Sequence, residues 1–254
     1  MLSILIVNWN TRDLLRACLT SLQRHLQDKY EIIVVDNASD DNSAQMVRDE
    51  FSQIELIASS VNTGYAAGNN LAYQKARGES IWLLNPDTEI DESSLPQLLD
   101  FLKEHPQCGA AASCLIDAKD GSIQQSCRTF PTPAALWCEA FGLAAKYPRS
   151  RRFGFYRMGW WNYNETRQVD QPMASSLLLR RDAIESSGGL FDEAFPIYFN
   201  DVDLCWRLRE NDWQIWYVPQ SKVLHHGGAS TSQRKPEMIR ESHQSLEGFY
   251  EKQY

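Results

Sequence analysis

The feature that most constrains this chain is an alternation repeated through its first third, in which near-continuous apolar runs are each followed by a stretch of helical periodicity. Leu2-Ser3-Ile4-Leu5-Ile6-Val7 precedes a pattern from Thr11 to Leu26 that sets Leu14, Leu15, Cys18, Leu19 and Leu22 on one face. Glu31 to Asp36 and then Ser43 to Phe51 repeat the theme, Ile54 to Ala58 and Tyr65 to Ala76 repeat it again, and Ser80 to Leu84 closes the series. Strands apolar at successive positions need cover on both faces. Helices supply that cover when strands run parallel and the crossovers are right-handed. The expected class is α/β, a Rossmann-like, mainly parallel mixed sheet flanked by helices.

The second half reads differently. Cys108 to Ile116 predicts a strand, and Asp120-Gly121 is a hairpin signal that would pair it with Ser122 to Cys127. From Arg128 to Arg167 the pattern dissolves into Pro, Gly, Arg and aromatic residues, too long for an ordinary connection. Strands are expected at Met173 to Arg180, Trp213 to Val218 and Lys222 to His226, with helices at Val202 to Glu210 and Glu237 to Tyr250. Neither a repeat nor a linker divides the chain, so 1–254 is expected to form a single domain.

Composition narrows the function classes. A net charge of -8 argues against a general nucleic-acid binder, which needs a basic field. No apolar run reaches the roughly eighteen residues of a membrane span, and the start lacks a basic leader, so a cytoplasmic protein is expected. The six cysteines form no Cys-x-x-Cys pair, which favours buried free thiols in a reducing compartment.

In an open parallel sheet, ligands bind beyond the carboxyl ends of the strands, near the point where strand order reverses. Four such ends here are rich in Asn, Asp and Gly: Asn8-Trp9-Asn10, Asp36 to Asp40, Asn62 to Asn70 and Asn85-Pro86-Asp87. Each alone could be a turn or a helix cap; four on one edge point to a site. Neither a Gly-x-Gly-x-x-Gly fingerprint nor a P-loop is present, so phosphate has to be held another way. A carboxylate at a proline-stiffened corner, Asp87, suits a divalent cation that in turn holds diphosphate oxygens.

With "VNWN" (7–10), "VVDNASDD" (34–41), "NTGYAAGNN" (62–70), "NPDT" (85–88), "GGLFDEAFPIYFNDVDLCWRL" (188–208) and "HHGGAS" (225–230) in order, the chain resembles the inverting family 2 glycosyltransferases of the GT-A fold, closest to the rhamnosyltransferase branch. The resemblance implies transfer of a sugar, rhamnose from dTDP-rhamnose or a hexose from a UDP donor, to a glycan or lipid-linked acceptor in cell-surface polysaccharide synthesis. Residues 1–115 would form the donor half and 116–254 the acceptor and catalytic half.

Carried over residue by residue, the resemblance gives Asp87 the last position of an Asp-x-Asp triplet, where it binds magnesium or manganese, with Asn85 as a hydrogen-bond donor. Asp36 would accept a base imide N–H, Val7, Asn8, Asn10, Asn62 and Asn69 would line the donor site, and Gly64 and Gly68 would let backbone approach the donor. Asp201 would be the catalytic base; Asn200 stands where the family carries Glu, and Asp203 reads as an early helix residue favoured by the dipole. His225 is preferred over its neighbour His226 as a metal ligand, because strand alternation sends the two to opposite faces. Ser230, Ser232 and Arg234 would belong to a loop ordering over the donor.

A nucleotidyltransferase would carry a glycine-rich basic loop where Asn8-Trp9-Asn10 stands. A non-catalytic sugar-nucleotide-binding protein is the other rival, suggested by Asn85 and Asn200. One stretch lies outside the shared motifs: Lys146, Arg149, Arg151, Arg152 and Arg157, with Phe153, Phe155, Trp160 and Trp161, would offer the 146–161 region for peripheral membrane contact at the inner face or for an anionic acceptor.

Overall fold

The computed structural model describes residues 1–26, 29–227 and 235–254. Its first half follows the expected alternation: β1 (Leu2–Asn8), α1 (Arg12–His25), β2 (Tyr30–Asn37), α2 (Ser43–Glu50), β3 (Glu55–Ser59), α3 (Gly64–Lys75) and β4 (Ser80–Leu84). Then come β5 (Thr88–Ile90), α4 (Ser94–Glu104), β6 (Cys108–Asp117), β7 (Cys127–Arg128), α5 (Pro133–Ala140) and α6 (Leu143–Lys146). The chain closes with β8 (Arg167–Gln168), β9 (Gln171–Pro172), β10 (Ser176–Arg180), α7 (Arg181–Ser186), α8 (Asn200–Glu210), β11 (Gln214–His225) and α9 (Lys235–Gln253).

The main sheet runs β3-β2-β1-β4-β10-β6-β11-β5, with β8 paired to β11. β1, β2, β3 and β4 are mutually parallel, β10 is antiparallel to β4 and β6, and β11 is parallel to β6. The second half therefore does not stand apart: β10 inserts beside β4 and continues the same sheet. Because β10 is reversed, its start at Ser176 faces the same edge as the ends of β1, β2, β4 and β11.

Both faces of the sheet are dry. Along β1, Leu5 and Val7 join Ala66 and Ala72 of α3 and Leu204 and Leu208 of α8 in one core. Ile4 and Ile6 point the other way, into a core with Leu15, Leu19 and Leu22 of α1 and Leu95 and Leu98 of α4. Period-two alternation between two helical layers is why these strands are apolar throughout.

Four expectations change. The 122–127 arm of the hairpin contributes one bridge, Ile116 to Ile123, and Cys127 pairs instead with Pro172, because β7 and β9 close the base of the long insert. The two predicted strands at 213–226 are one, β11, with a register shift between Val218 and Lys222 around Pro219. Helix α4, unremarked in the sequence, buries Leu95, Leu98 and Leu102. In the 146–161 region the aromatics turn inward: Trp161 is buried, stacked on Tyr163 at 4.1 Å and edge-on to Tyr217 at 5.0 Å, while Arg157 pairs with Glu139.

The cysteines are all free, and five are buried. Burial pushes the thiols of Cys18, Cys108 and Cys127 up to about 12, so they pack rather than react. Among the described residues no helix is long and apolar enough to cross a membrane.

Candidate active site

A cleft of about 590 Å³ opens along the sheet edge where β1, β2, β4 and β11 end and β10 begins. Its floor is the Asn85-Pro86-Asp87 corner. Asn85 donates its backbone N–H to the Ser175 carbonyl at 3.0 Å and its Nδ2 to Ser175 Oγ at 3.1 Å, and Thr88 Oγ1 donates to the Asn85 carbonyl at 2.7 Å. One N–H of the Asn85 amide is used on Ser175, the second is not, and its buried Oδ1 has no hydrogen-bond partner.

Asp87 and His225, 6% and 4% exposed, both line the cleft, with His225 Nε2 3.5 Å from Asp87 Oδ1. β5 and β11 bring them together, pairing Thr88 with His225. His225 Nδ1 lies 2.7 Å from Gln124 Oε1, and the Gln124 amide nitrogen donates to Asp117 Oδ2 at 3.2 Å and to the His225 carbonyl at 3.1 Å. That makes Gln124 the acceptor and Nδ1 its donor, and leaves Nε2 as the ring atom facing Asp87. A carboxylate and an imidazole nitrogen converging on a buried floor are donor groups of the kind that hold a divalent cation. Among the described residues no cluster of three or more His, Cys, Asp or Glu completes a cage, so further ligands would have to come from substrate oxygens or water. His226 turns away, its Nε2 2.9 Å from Glu89.

The donor-side residues fall into two groups. Val7, Asn62, Gly64, Asn85 and Asp87 line the cleft. Asn8, Asp36, Gly68 and Asn69 lie behind it. Asn8 is fully buried, donating to Asp36 at 2.9 Å and Ser39 at 3.2 Å and accepting from Thr11 at 2.6 Å, so its amide is consumed in bracing the wall. Asp36 also accepts from the Ser39 N–H at 3.1 Å. A Cβ on Gly68 would lie 2.8 Å from Val7 Cγ1, so this glycine serves the close packing of α3 on β1 rather than backbone approach to a donor. Asn69 is buried and donates to the Tyr65 carbonyl one turn back. Asn10, left-handed at φ 52°, accepts from the Asp40 N–H at 2.8 Å and faces a separate shallow depression with Arg12 and Asp41. Gly64, by contrast, needs to be glycine: its φ is +87° and a Cβ would meet the Pro196 carbonyl at 2.8 Å.

Across from the floor stands the start of α8. Phe199 caps it in the left-handed region at φ 66°, a conformation that neighbouring contacts must hold for a bulky residue. Asn200 does much of this, donating to the Phe195 and Ile197 carbonyls at 3.3 and 2.8 Å. A Glu could not make those donations, so the departure from the family pattern has a local structural use. Asp201, partly buried, lines the cleft and accepts from the Val202 N–H at 2.9 Å. Burial pushes its carboxyl up from the usual range, partly offset by backbone N–H groups and the charge of Arg128. Asp203 is wholly buried, bound by Arg207 and Lys252 at 2.7 Å each, and so ties α8 to α9 rather than merely favouring the helix dipole.

Sequence reasoning missed several lining residues. Trp9, Asn37, Tyr65, Ser175, Tyr198 and Glu241 all face the cleft. Asn37 staples β2 to the next loop, donating to the Gly64 carbonyl at 2.8 Å and accepting from the Thr63 N–H at 3.1 Å, a role its strand-end position hinted at. Tyr65 has its hydroxyl pKa raised by burial and by the charges of Asp201 and Asp87, which places it electrically between the two carboxylates. Ser230, Ser232 and Arg234 lie outside the described residues.

The model of the family described as glycosyl transferase family 2 matches residues 3–174. The chain belongs to that family. It is a glycosyltransferase, with a GT-A fold. It is 29% identical over 257 residues to an N-acetylglucosaminyl-diphospho-decaprenol L-rhamnosyltransferase of Mycobacterium tuberculosis, covering 96% of this chain and 82% of that one. To the rhamnosyltransferase WbbL of Escherichia coli K12 it is 26% identical, covering 89% and 83%. Among solved structures, GalNAc-T7 with UDP, GalNAc and Mn2+ superposes with a TM-score of 0.65 at 14% identity, over 89% of this chain and 43% of that one, a likeness of fold alone.

Proposed function

We propose that this glycosyltransferase moves rhamnose from dTDP-rhamnose to a glycan or lipid-linked saccharide in cell-surface polysaccharide synthesis, with inversion at the anomeric carbon. The observation that carries the proposal is the single cleft that holds the Asp87–His225 pair on its floor and Asp201 on the facing wall. The two rhamnosyltransferase relatives, matched over most of their lengths, support the sugar, and the mycobacterial one, named for an N-acetylglucosaminyl-diphospho-decaprenol, supports a lipid-linked acceptor.

Asp201 takes the proton from the acceptor hydroxyl as that oxygen attacks the anomeric carbon on the face away from the diphosphate; its raised pKa brings its basicity closer to the operating pH. Asp87 and His225 would hold a divalent cation, which when bound would supply positive charge against the leaving diphosphate. One carboxylate oxygen and one imidazole nitrogen favour manganese over magnesium, which prefers an all-oxygen shell. Asp36, behind the cleft with Asn8 and the Ser39 N–H on its oxygens, braces the wall against which the base would lie, and Asn85 lines the cleft on the side of the sugar and ribose. In this reading residues 1–115 carry the donor and 116–254 the acceptor and the base. The reaction belongs in the cytoplasm, consistent with six free thiols.

The test is nucleoside-diphosphate release from dTDP-rhamnose, UDP-glucose, UDP-galactose and UDP-N-acetylglucosamine, with and without manganese, by the wild type and Asp87→Ala. Manganese-dependent release from dTDP-rhamnose alone, lost in the variant, is expected. Release only from a UDP-hexose overturns the donor, and donor binding without release in the presence of acceptor overturns catalysis.

A further inference from the structure

The long insert between β7 and β9 carries a surface that the cleft does not use. Trp137 and Phe141, one helical turn apart at the end of α5, are 66% and 65% exposed, with ring centroids 4.6 Å apart. Tyr147 follows at 44% exposed. Two large stacked rings left in water are an exposed apolar patch of the kind that marks an interaction surface.

The charges around them are of one sign. Lys146, Arg149, Arg151 and Arg152 are exposed, and among the described residues none has a carboxylate within salt-bridge reach. From Pro133 to Arg152 Glu139 is the only acid, and its carboxylate is neutralised by Arg157 at 2.6 Å. Lys146 lies over the Tyr147 ring at 5.4 Å and Arg151 over Trp160 at 4.7 Å, so cations and rings share one surface. This happens in a chain of net charge -8, so the basic character is local.

The patch is rooted beside the catalytic wall. Thr129 donates its N–H to the Tyr156 carbonyl at 3.0 Å, and β7 pairs with β9, directly before the lining residues Met173, Ala174 and Ser175. Arg128, in β7, is close enough for its charge to lower the carboxyl pKa of Asp201.

We propose that the face formed by Trp137, Phe141 and Tyr147 with Lys146, Arg149 and Arg152 docks on an anionic phospholipid bilayer, holding the acceptor side of the cleft at the membrane surface. Rings of this type settle at the headgroup level, and Lys and Arg are drawn to anionic lipid. A second copy of the chain fits less well, because a two-fold contact through this face would bring two patches of the same positive sign together. The face keeps the cations that the sequence offered in the 146–161 region and takes its exposed rings from Trp137, Phe141 and Tyr147 in place of the buried Trp161. Docking involves neither donor nor acceptor, so its outcome is separate from that of the transfer reaction.

Flotation of the full chain with phosphatidylglycerol-containing vesicles, against phosphatidylcholine alone, tests this. The wild type is expected to float with the anionic vesicles, less so as salt rises. A Lys146→Gln/Arg149→Gln/Arg152→Gln variant is expected to bind about 100-fold more weakly, at about fivefold per cation. Trp137→Ser/Phe141→Ser is expected to lose binding with an unchanged melting temperature and unchanged donor turnover; should it misfold, the charge variant decides. Equal flotation with neutral vesicles, no flotation, or wild-type binding by the charge variant overturns the proposal. So does sedimentation velocity showing a dimer that the aromatic variant disperses.

Discussion

On the donor side of the cleft, polar side chains are spent on one another, whereas across it Asp201 is held in a setting that resists its charge. Asn8, Asp36 and Ser39 are hydrogen-bonded to one another across the ends of β1 and β2, and Asn37 separately ties the end of β2 to the loop before α3. Asp201 receives backbone N–H groups but is pushed toward its neutral form by burial. The first arrangement stabilises the fold and presents a fixed shape. The second costs stability and, in the proposed mechanism, supplies the base, which is where strain is expected in a catalyst. The same contrast recurs within one turn of α8, where Asp203 is paired with two cations and Asp201, among the described residues, with none as close.

The largest expected effect breaks that contrast at its catalytic end. Asp201→Asn is expected to lower kcat by roughly 10²- to 10⁴-fold with donor KM nearly unchanged, in steady-state assays. Its stability should be equal or higher at neutral pH. The sign follows from the raised carboxyl pKa: the folded state prefers the protonated acid, so the wild type is relatively most stable below the unfolded carboxyl pKa and loses that advantage as pH rises through the folded value. In the wild type the acid limb of kcat/KM should accordingly lie above the ordinary carboxyl range.

Asp203→Ala is the opposing case. Removing a buried carboxylate from between Arg207 and Lys252 is expected to cost about 3–5 kcal/mol in urea unfolding. If Asp201→Asn were the more destabilising of the two, the assignment of roles along α8 would be reversed.

Gln124→Leu sharpens the comparison on the floor. It removes the acceptor that orients His225 without touching Asp87, and manganese affinity by titration calorimetry is expected to fall about 10- to 100-fold. An unchanged affinity would remove His225 from the cation site.

Gly68→Ala carries the smallest effect and an informative sign. Alanine normally stabilises a helix interior by up to about 1 kcal/mol over glycine. Here its Cβ would meet Val7 at 2.8 Å, so a loss of about 1–3 kcal/mol is expected with donor KM unchanged. A raised KM at unchanged melting temperature would return Gly68 to the donor contacts.

The layers of the fold and the edge carrying the site were legible in the sequence, because both follow from local pattern. Apolar runs alternating with amphipathic helices dictate a sheet covered on both faces, and strand ends rich in Asn, Asp and Gly mark where polar groups collect. That His225 and His226 face opposite ways needed only the period of a strand, and the structure sets His225 beside Asp87 and His226 beside Glu89. What stayed hidden depends on contacts between distant segments. The insertion of β10 between β4 and β6, the pairing of Cys127 with Pro172 and the orientation of His225 by Gln124 join residues tens to a hundred positions apart. Whether an asparagine at a strand end faces a ligand or braces the wall was likewise decided in three dimensions. Asn8 and Asn85 stand in similar motifs, yet Asn8 has every amide atom engaged and Asn85 keeps an open acceptor. Residue type and spacing say that a polar group is there; only the packing of its neighbours determines whether its hydrogen bonds are already made.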